Sequence, residues 1–497
     1  MSGYDQISNG SAYTQAMAGF FSRSKSAQQD NAARQELVSR SRVLYLESAM
    51  ARSCVDVLLR ECIGNGLRYS PKDTSDYFQN YAAITSELNT ELKKASDLHT
   101  LDSTARLTFP QIQSLVFRTI LLSGDCFIIR LDNGSFCIKE SDYVFTPDFL
   151  TVNGGREAKY EGNSVFDGVE VDGLGIPVAY WFCNTLYKED LKNRDRWVRI
   201  PAIDAESGLP RVLHCAYFER PQQYRGLPLV SPVIEDLWSL RAYLTSETQM
   251  AITQVNQSWV ITTQTNPTLN PFVGLTEQDL DAPLVSNGAA PKREPSKDFS
   301  INPPSNSAFN GELTKTKFIQ PGSSLHLAEG EDIKAIAPTA PHSGLETFIK
   351  CVTDQIGSAV GIPSQILTAR IDSNFSSCKA AFAQLQHTVR LYRGMFTETF
   401  LKPFFQCFVY ETMQAKGWHS KKYSDYESSL IIANEAIWKP STPAVMLEPN
   451  KEMQFYRDAL DLGLISRDEV SQLLFGHDAV KDEVDTEIKL EDELSNK

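Results

Sequence analysis

Apolar side chains recur every three or four residues along several stretches of the chain, the periodicity of a helix with one buried face. The first stretch runs from about Asn31 to Ile63 and is followed by Gly64-Asn65-Gly66, a typical stop signal. The second runs from Pro232 to Val260 and follows a capping serine, Ser231. At 1.5 Å per residue, this second helix would be about 43 Å long.

Two more helices are predicted in the second half of the chain. One spans Ser343–Val360 and opens with a capping box. A polar loop at Thr368–Asn374 follows it, and a third long helix begins near Ser377. Pro403 is expected to kink that helix, because proline has no N–H and its ring clashes with the preceding turn.

Residues 102–220 have a different pattern. One helix is predicted from Gln111 to Leu122. It is followed by short runs rich in β-branched and aromatic residues, at 126–131, 136–139, 169–171, 178–183 and 212–218. Asp132-Asn133-Gly134, between the first two runs, is typical of a hairpin turn. This part of the chain is therefore predicted to be α+β.

Polar and proline-rich segments separate and end these elements. Seven prolines between 265 and 311 exclude long helices there, and short strands are predicted at 317–320 and 324–327. Near the end, one helix is predicted from Lys451 to Leu462 and another from the capping box at Ser466. The last 17 residues hold seven acids and three lysines, which predicts an acidic tail.

Composition narrows the class of protein. The 497 residues include 62 acids and 48 Lys or Arg, a formal net charge of −14, which argues against a surface that grips nucleic acid tightly. The nine cysteines form no Cys-x-x-Cys pair and are expected to be reduced and buried. No signal peptide and no membrane-spanning segment are expected.

The chain lacks the common catalytic and cofactor motifs. It has no phosphate-binding P-loop, no dinucleotide-binding glycine motif and no serine nucleophile elbow. His214 and Cys215 are adjacent, but on a strand they would point to opposite faces and could not share a metal. Acid pairs such as Asp125 with Glu140, and Glu235-Asp236, are interpreted as helix-cap or surface groups. We therefore predict no catalytic residue, no metal ligand and no cofactor.

Several segments carry a family resemblance. Asp167–Trp181 is one, and His214–Pro228 is another; within the second, His214 and Arg220 lead to an Arg-Gly-x-Pro turn formed by Arg225, Gly226 and Pro228. Three further segments are Leu327–Ile333, Val360–Pro363 and the tail from Trp438. In this order the five segments, over roughly residues 40–480, resemble the lambda-type family of tailed-phage portal proteins. The tail has Glu448 where that family commonly has Asp, and residues 265–311 have no clear counterpart.

The resemblance implies a predominantly helical α+β portal fold whose subunits form a ring. With the patterns above, it predicts a mobile N-terminal segment (1–40), a wing (41–225), a first stem helix (226–262), a clip (263–340), a second stem helix (341–362), a tunnel loop (363–376), a kinked wing helix (377–430), crown helices (431–480) and the acidic tail (481–497).

The resemblance also implies a function. Typically twelve copies form a ring at one vertex of the capsid, and double-stranded DNA is packaged and ejected through this ring. The implied location is the virion, and the host cytoplasm during assembly. The implied partners are the terminase large subunit, head-completion or adaptor proteins, and the major capsid and scaffolding proteins, with no membrane. The tunnel loop is expected to make weak, non-specific contacts with DNA through Thr368, Arg370, Asp372, Ser373 and Asn374. The alternatives are a maturation enzyme of the phage head and an oligomeric scaffold with no role in DNA passage.

Overall fold

A computed structural model describes residues 34–70, 81–152, 157–184, 193–255, 259–263, 316–317, 331–335, 344–370, 375–419, 423–440, 449–465 and 470. The chain divides into two compact units. The larger one comprises Met1–Arg241 and Thr347–Lys497, and the smaller one Ala242–Glu346.

The described helices, in chain order, are α1 (Arg34–Glu47), α2 (Ala49–Cys62), α3 (Tyr81–Asp97), α4 (Phe109–Ser123), α5 (Ile234–Val255), α6 (Leu345–Val360), α7 (Ser364–Leu367), α8 (Phe375–Phe396), α9 (Lys402–Lys416), α10 (Asp425–Glu435) and α11 (Pro449–Asp461). None of these helices has the length and apolar character that crossing a membrane requires.

The described strands form four antiparallel sheets. Their bounds are β1 (Leu67–Ser70), β2 (Asp125–Arg130), β3 (Phe136–Glu140), β4 (Thr151–Val152), β5 (Glu157–Tyr160), β6 (Asn163–Phe166), β7 (Val169–Val171), β8 (Pro177–Cys183), β9 (Trp197–Pro201), β10 (Val212–Ala216), β11 (Trp259–Thr263), β12 (Thr316–Lys317), β13 (Glu331–Ala335) and β14 (Ile437–Pro440). The sheet orders are β10-β2-β3, β4-β5-β6-β7-β8-β9, β1-β14 and, in the smaller unit, β12-β11-β13.

Strand β2 lies at the centre of the larger unit, and all six of its residues are buried. On one face, Cys126 and Ile128 join the core formed with helices α2, α4, α8 and α9. On the other face, Phe127 and Ile129 pack against Val169 and other residues of the six-stranded sheet. The sheet β10-β2-β3 is therefore a middle layer between helices and a second sheet, which explains why the residues between the charged ends of β2, Cys126–Ile129, are all apolar.

The predicted α+β region is present, with elements close to their expected places. The helix expected at Gln111–Leu122 is α4, and the hairpin expected at Asp132-Asn133-Gly134 joins β2 to β3. The first helical stretch is divided at Ser48, whose hydroxyl accepts a hydrogen bond from the Ala51 N–H and so begins α2. A residue that caps one helix thus ends the helix before it.

The helix observed in the range predicted as the first stem helix is shorter than the sequence predicted. A short 3₁₀ turn at Ser231–Val233 precedes α5, which ends at Val255. Residues Trp259–Thr263 are not helical but form β11, paired with β12 and β13. The sequence prediction carried the helix into a run of Trp, Val, Ile and Thr because apolar residues continue there at helical spacing. These residue types favour a strand once neighbouring strands are present. The strand expected at 317–320 meets the described β12 at Lys317 alone, and 324–327 lies outside the described residues.

The kink expected at Pro403 takes the form of a π-helical turn at Thr397–Leu401, between α8 and α9. Within it, the Lys402 N–H donates to the Thr397 carbonyl, five residues earlier. Pro403 has no N–H to give to the Thr399 carbonyl, and the Cys215 thiol donates to that carbonyl instead, with 3.4 Å between Sγ and O. The wider turn and the thiol together accommodate the proline within a nearly continuous helix.

The last third of the chain departs from its predicted division in three places. The tunnel-loop range 363–376 includes a helical turn, α7. The kinked helix, expected to 430, ends at Lys416, with Gly417 in the left-handed conformation. Ile437–Pro440, expected in a helical crown, is strand β14 and pairs with β1, whose residues fall in the range predicted as wing. The tail helix expected at Lys451–Leu462 is α11, whereas the cap at Ser466 and the acidic tail lie outside the described residues, as do Ser343 and residues 1–33.

Candidate functional site

The Arg-Gly-x-Pro turn places a charged side chain in the dry interior. Arg225 is fully buried, and its Nε lies 2.5 Å from Oδ2 of Asp125, which is also fully buried at the start of β2. Nη2 donates to Asp125 Oδ1 at 3.2 Å, so the ion pair is bidentate. The remaining guanidinium donors reach the carbonyls of Ser141, Val144 and Asp167 at 3.0, 2.7 and 2.6 Å. One arginine thus joins β2 to two other segments of the chain, the one around Ser141 and Val144 and the one at Asp167.

Arg34, the first described residue of α1, enters the same cluster. It is 2% exposed, its Nε donates to Asp167 Oδ2 at 2.7 Å, and its Nη1 donates to Ser141 Oγ at 2.7 Å. Its Nη1 also lies 3.9 Å from Asp125 Oδ1. Two arginines therefore face two carboxylates, which balances the charge and attaches α1 to the sheet layers.

His214 lies beside this cluster on β10. Its ring stacks on Phe127 with 4.3 Å between centroids, and its Nε2 is 3.6 Å from Asp125 Oδ2. Its neighbour Cys215 points to the opposite face, toward the Thr399 carbonyl, as expected for adjacent residues on a strand. We refer to Arg34, Asp125, Asp167, His214 and Arg225 as the buried ionic cluster.

The cluster controls the protonation of its members. Burial by itself raises the pKa of Asp125, but Arg225, the His214 contact and Arg34 together hold that pKa well below 3.8. Burial lowers the pKa of His214 from 6.5; Asp125 opposes this, while Arg225 and Arg34 add to it. At neutral pH the carboxylate is therefore charged and the imidazole neutral.

Two glycines lie directly beside the ion pair. Gly124 precedes Asp125, has φ of +86° and ends α4. Gly226 follows Arg225, and a Cβ added there would lie 2.0 Å from the Gly124 carbonyl oxygen. The two backbones touch where no side chain fits, and this contact brings Arg225 up to Asp125.

The rest of the motif leads into the long helix. The Pro228 carbonyl accepts from the Ser231 N–H at 3.0 Å and the Ser231 hydroxyl at 2.7 Å, immediately before α5. The Leu229 N–H donates to the Leu121 carbonyl of α4 at 2.9 Å. Arg220 is exposed and lies outside the buried ionic cluster. The Arg-Gly-x-Pro turn therefore fixes where α5 begins.

The predicted tunnel-loop residues lie in a second place. Arg370 is exposed, and Thr368 is half-buried, with its hydroxyl donating to the Ser364 carbonyl at 2.8 Å. Asp372, Ser373 and Asn374 lie outside the described residues. Of the five predicted loop residues, the structure thus shows two, and of these Arg370 presents a charge to solvent.

The segment that leads to this loop is tightly packed. Gly361, in the left-handed conformation, ends α6, and its carbonyl accepts from the Thr388 hydroxyl of α8 at 2.7 Å. A Cβ added to Gly357 would lie 2.5 Å from the Ile362 carbonyl oxygen. The turn after α6 is therefore held against both α6 and α8.

One residue of the site was misinterpreted from the sequence. Asp125 was assigned a cap or surface role, and it is instead the fully buried partner of Arg225. The missed signal is its setting: an acid between Gly124 and the apolar run from Cys126 must be buried with a partner. In the described part of the chain no cluster of His, Cys, Asp or Glu has the arrangement of a metal site.

The contacts of the motif residues are structural: they join helices to sheets and fix the start of α5. The family model described as "Phage portal protein, lambda family" matches residues 13–393, and the chain belongs to this family, as the sequence predicted. The family is a structural one, and its members are head–tail connectors of phage particles.

Solved structures of gene transfer agent particles contain similar chains. One, from the virion of the native particle, is 13% identical with a TM-score of 0.45, and the match covers 89% of this chain and 93% of that one. A chain from the neck of the empty particle, computed with C6 symmetry, is 14% identical (TM-score 0.46, covering 88% and 93%). A chain from the neck of the native particle, computed with C12 symmetry, is also 14% identical (0.43, 88% and 92%). No curated protein matches the chain.

We expect Gly226→Ala to destabilise the protein strongly. Its methyl group overlaps backbone atoms of Gly124, which cannot move without separating Arg225 from Asp125. Overpacking of this kind costs about 1–3 kcal/mol or more. The free energy of unfolding from urea titration, followed by tryptophan fluorescence, measures the loss.

Gly173→Ala is the matched control, because a Cβ at Gly173 meets no atom within 4 Å. Equal stabilities of the two variants would show that the Gly124–Gly226 contact does not constrain the fold.

We also expect stability to fall in mild acid through His214. Because its pKa is lowered in the folded state, the unfolded chain takes up a proton near pH 6.5 that the folded chain refuses. The free energy of unfolding is unaffected above that pH and decreases below it, by at most about 1.4 kcal/mol per pH unit for one proton. Urea titrations at pH 7.5, 6.5 and 5.5 measure this slope.

His214→Gln should reduce the slope. The assignment is wrong if His214→Gln and the wild type lose stability in parallel.

Proposed function

We propose that this chain forms a closed ring of twelve identical subunits at one vertex of a phage capsid, and that double-stranded DNA enters and leaves along the ring axis. The observation that carries the proposal is the portal family match over residues 13–393. The subunit needs no catalytic group in this role, because the packaging motor supplies the work.

The charge of the chain supports a conduit. Binding to duplex DNA strengthens with each phosphate that a protein neutralises, so a strongly basic channel would hold the DNA instead of letting it pass. The net charge of −14 per subunit avoids this. Weak, non-specific attraction from a few cations then guides the DNA without stopping it.

Arg370 is the described candidate for that attraction. It is exposed at the end of the turn after α7, within the predicted tunnel loop. In the ring, twelve copies of Arg370 would form one circle of positive charge around the DNA. The neighbouring predicted loop residue Asp372 would limit the net attraction.

The partners follow from this assembly. The terminase large subunit docks on the ring during packaging, and head-completion or adaptor proteins occupy the same end afterwards. The major capsid and scaffolding proteins surround the ring at the vertex, and assembly takes place in the host cytoplasm. Wing, stem, clip and crown are the proposed names for the parts of the subunit.

Electron microscopy of the purified protein tests the ring. We expect annular particles with a central hole wider than the duplex, about 20 Å, and native mass spectrometry should give about 667 kDa for twelve copies of the 55.6 kDa chain. Monomers alone would exclude the proposal. Closed particles without a channel would favour a scaffold with no DNA role, and hydrolysis of a capsid protein would favour a maturation enzyme.

Arg370→Ala tests the role of the loop. For rings inserted in a membrane pore, we expect the dwell time of linear duplex DNA passing the channel to shorten by ~2-fold or more at low salt, because a circle of phosphate contacts is lost. The difference should shrink in 1 M salt, where the Debye length falls to about 3 Å. Single-channel current recordings measure the dwell time.

Arg40→Ala is the control, since Arg40 is an exposed arginine on α1 paired with Glu36. A dwell time that responds equally to both substitutions, or to neither, would remove Arg370 from the channel.

A further inference from the structure

The short helix α7 ends with every terminal carbonyl satisfied. The Thr368 N–H donates to the Ser364 carbonyl at 2.9 Å, and the Ala369 N–H donates to the Ile366 carbonyl at 3.3 Å. The Arg370 N–H then reaches back to the Gln365 carbonyl at 3.1 Å. This is the Schellman arrangement, in which the residue after the helix adopts the left-handed conformation.

Ala369 occupies that left-handed position, with φ of +53°. The conformation is unfavourable for a residue with a side chain, so the hydrogen bonds on either side must hold it in place. The backbone is therefore fixed as far as the amide of Arg370, which lies inside the predicted tunnel-loop range.

The fourth carbonyl, that of Leu367, accepts from a distant part of the chain. The Ser53 hydroxyl of α2 donates to it with 2.8 Å between Oγ and O, and both residues lie in the larger unit. Ser53 thus fastens the last residue of α7 to the helical core, of which the neighbouring Cys54 and Val55 are fully buried members.

Other contacts hold the opposite end of the same segment. Thr388 donates to the Gly361 carbonyl, and Ser364 is hydrogen-bonded to Asp354 of α6. These contacts lie before α7 or at its first residue, whereas the Ser53 contact lies three residues before Arg370. Among these contacts, the Ser53 bond is the nearest to Arg370 along the chain. It is therefore placed to control where Arg370 emerges.

We propose that Ser53 is a positioning residue for Arg370: by holding the Leu367 carbonyl, it fixes the place at which Arg370 emerges from the turn after α7. The proposal rests on the proposed function of the loop. A cation held in place binds a passing phosphate without first losing its backbone freedom, so the fixed exit strengthens each contact.

The test combines Ser53→Ala and Arg370→Ala in one double-mutant cycle, with DNA dwell time in the pore recording as the readout. We expect Ser53→Ala to cause part of the shortening caused by Arg370→Ala, and to cause no further shortening when Arg370 is already alanine. A residue that only stabilised the fold would not show this dependence on Arg370. Ser53→Thr, which keeps a hydroxyl, should restore most of the dwell time.

Ser429→Ala is the matched control, because it removes a 2.8 Å bond from a serine hydroxyl to a carbonyl, here that of Tyr426 in α10. It should match Ser53→Ala in thermal midpoint and ring assembly, yet leave the dwell time at the wild-type value.

The outcomes separate the two proposals. If Arg370→Ala alone leaves the dwell time unchanged, the DNA-facing role of the loop is wrong and the positioning role falls with it. If Arg370→Ala has its effect while Ser53→Ala has none, or has the same effect with and without Arg370, the loop role stands and the positioning role of Ser53 is wrong.

Discussion

The ion pair between Arg225 and Asp125 is the constraint on which the arrangement of the larger unit depends. Both side chains are withdrawn from water, and a buried charge that loses its partner costs several kcal/mol. Arg225 also donates to three carbonyls on two other segments. Because any shift of these segments would leave a donor or a charge unpaired, the cluster permits one relative placement of helices and sheets.

Apolar residues of similar volume can supply as much stability, since buried ion pairs rarely exceed a hydrophobic core in strength. Apolar contacts, however, do not fix the orientation of the groups that make them. The planar guanidinium donates only along its fixed N–H directions, so it specifies the orientation of β2 relative to the segments that hold these carbonyls. The Gly124–Gly226 contact specifies their distance. Orientation and distance together determine where the chain turns into α5.

Sequence patterns predicted the helices and turns that neighbouring residues determine. They failed where a residue distant in the sequence determines the structure. Helix α4 and the β2–β3 hairpin follow from spacing and turn residues alone. Trp259–Thr263 continued a helical spacing, but pairing with residues 316–317 and 331–335 makes it a strand. Asp125 lies 100 positions from Arg225, so no local window reveals their contact. The motif residues themselves were recognised by family resemblance, and the Ser53 bond to the loop exit spans 314 positions.

The two candidate sites use one structural device at different places. Before α5, a glycine contact and a buried ion pair fix where the helix begins. After α7, a residue in the left-handed conformation and the Ser53 hydrogen bond fix where Arg370 emerges. A conduit for DNA benefits from both, because rigid walls do not close on the moving duplex. With the backbone fixed as far as Arg370, the contact that we propose between this side chain and DNA would depend on charge and salt instead of rearrangement. In the proposed ring, friction on the DNA would then be set by how many cations face the channel.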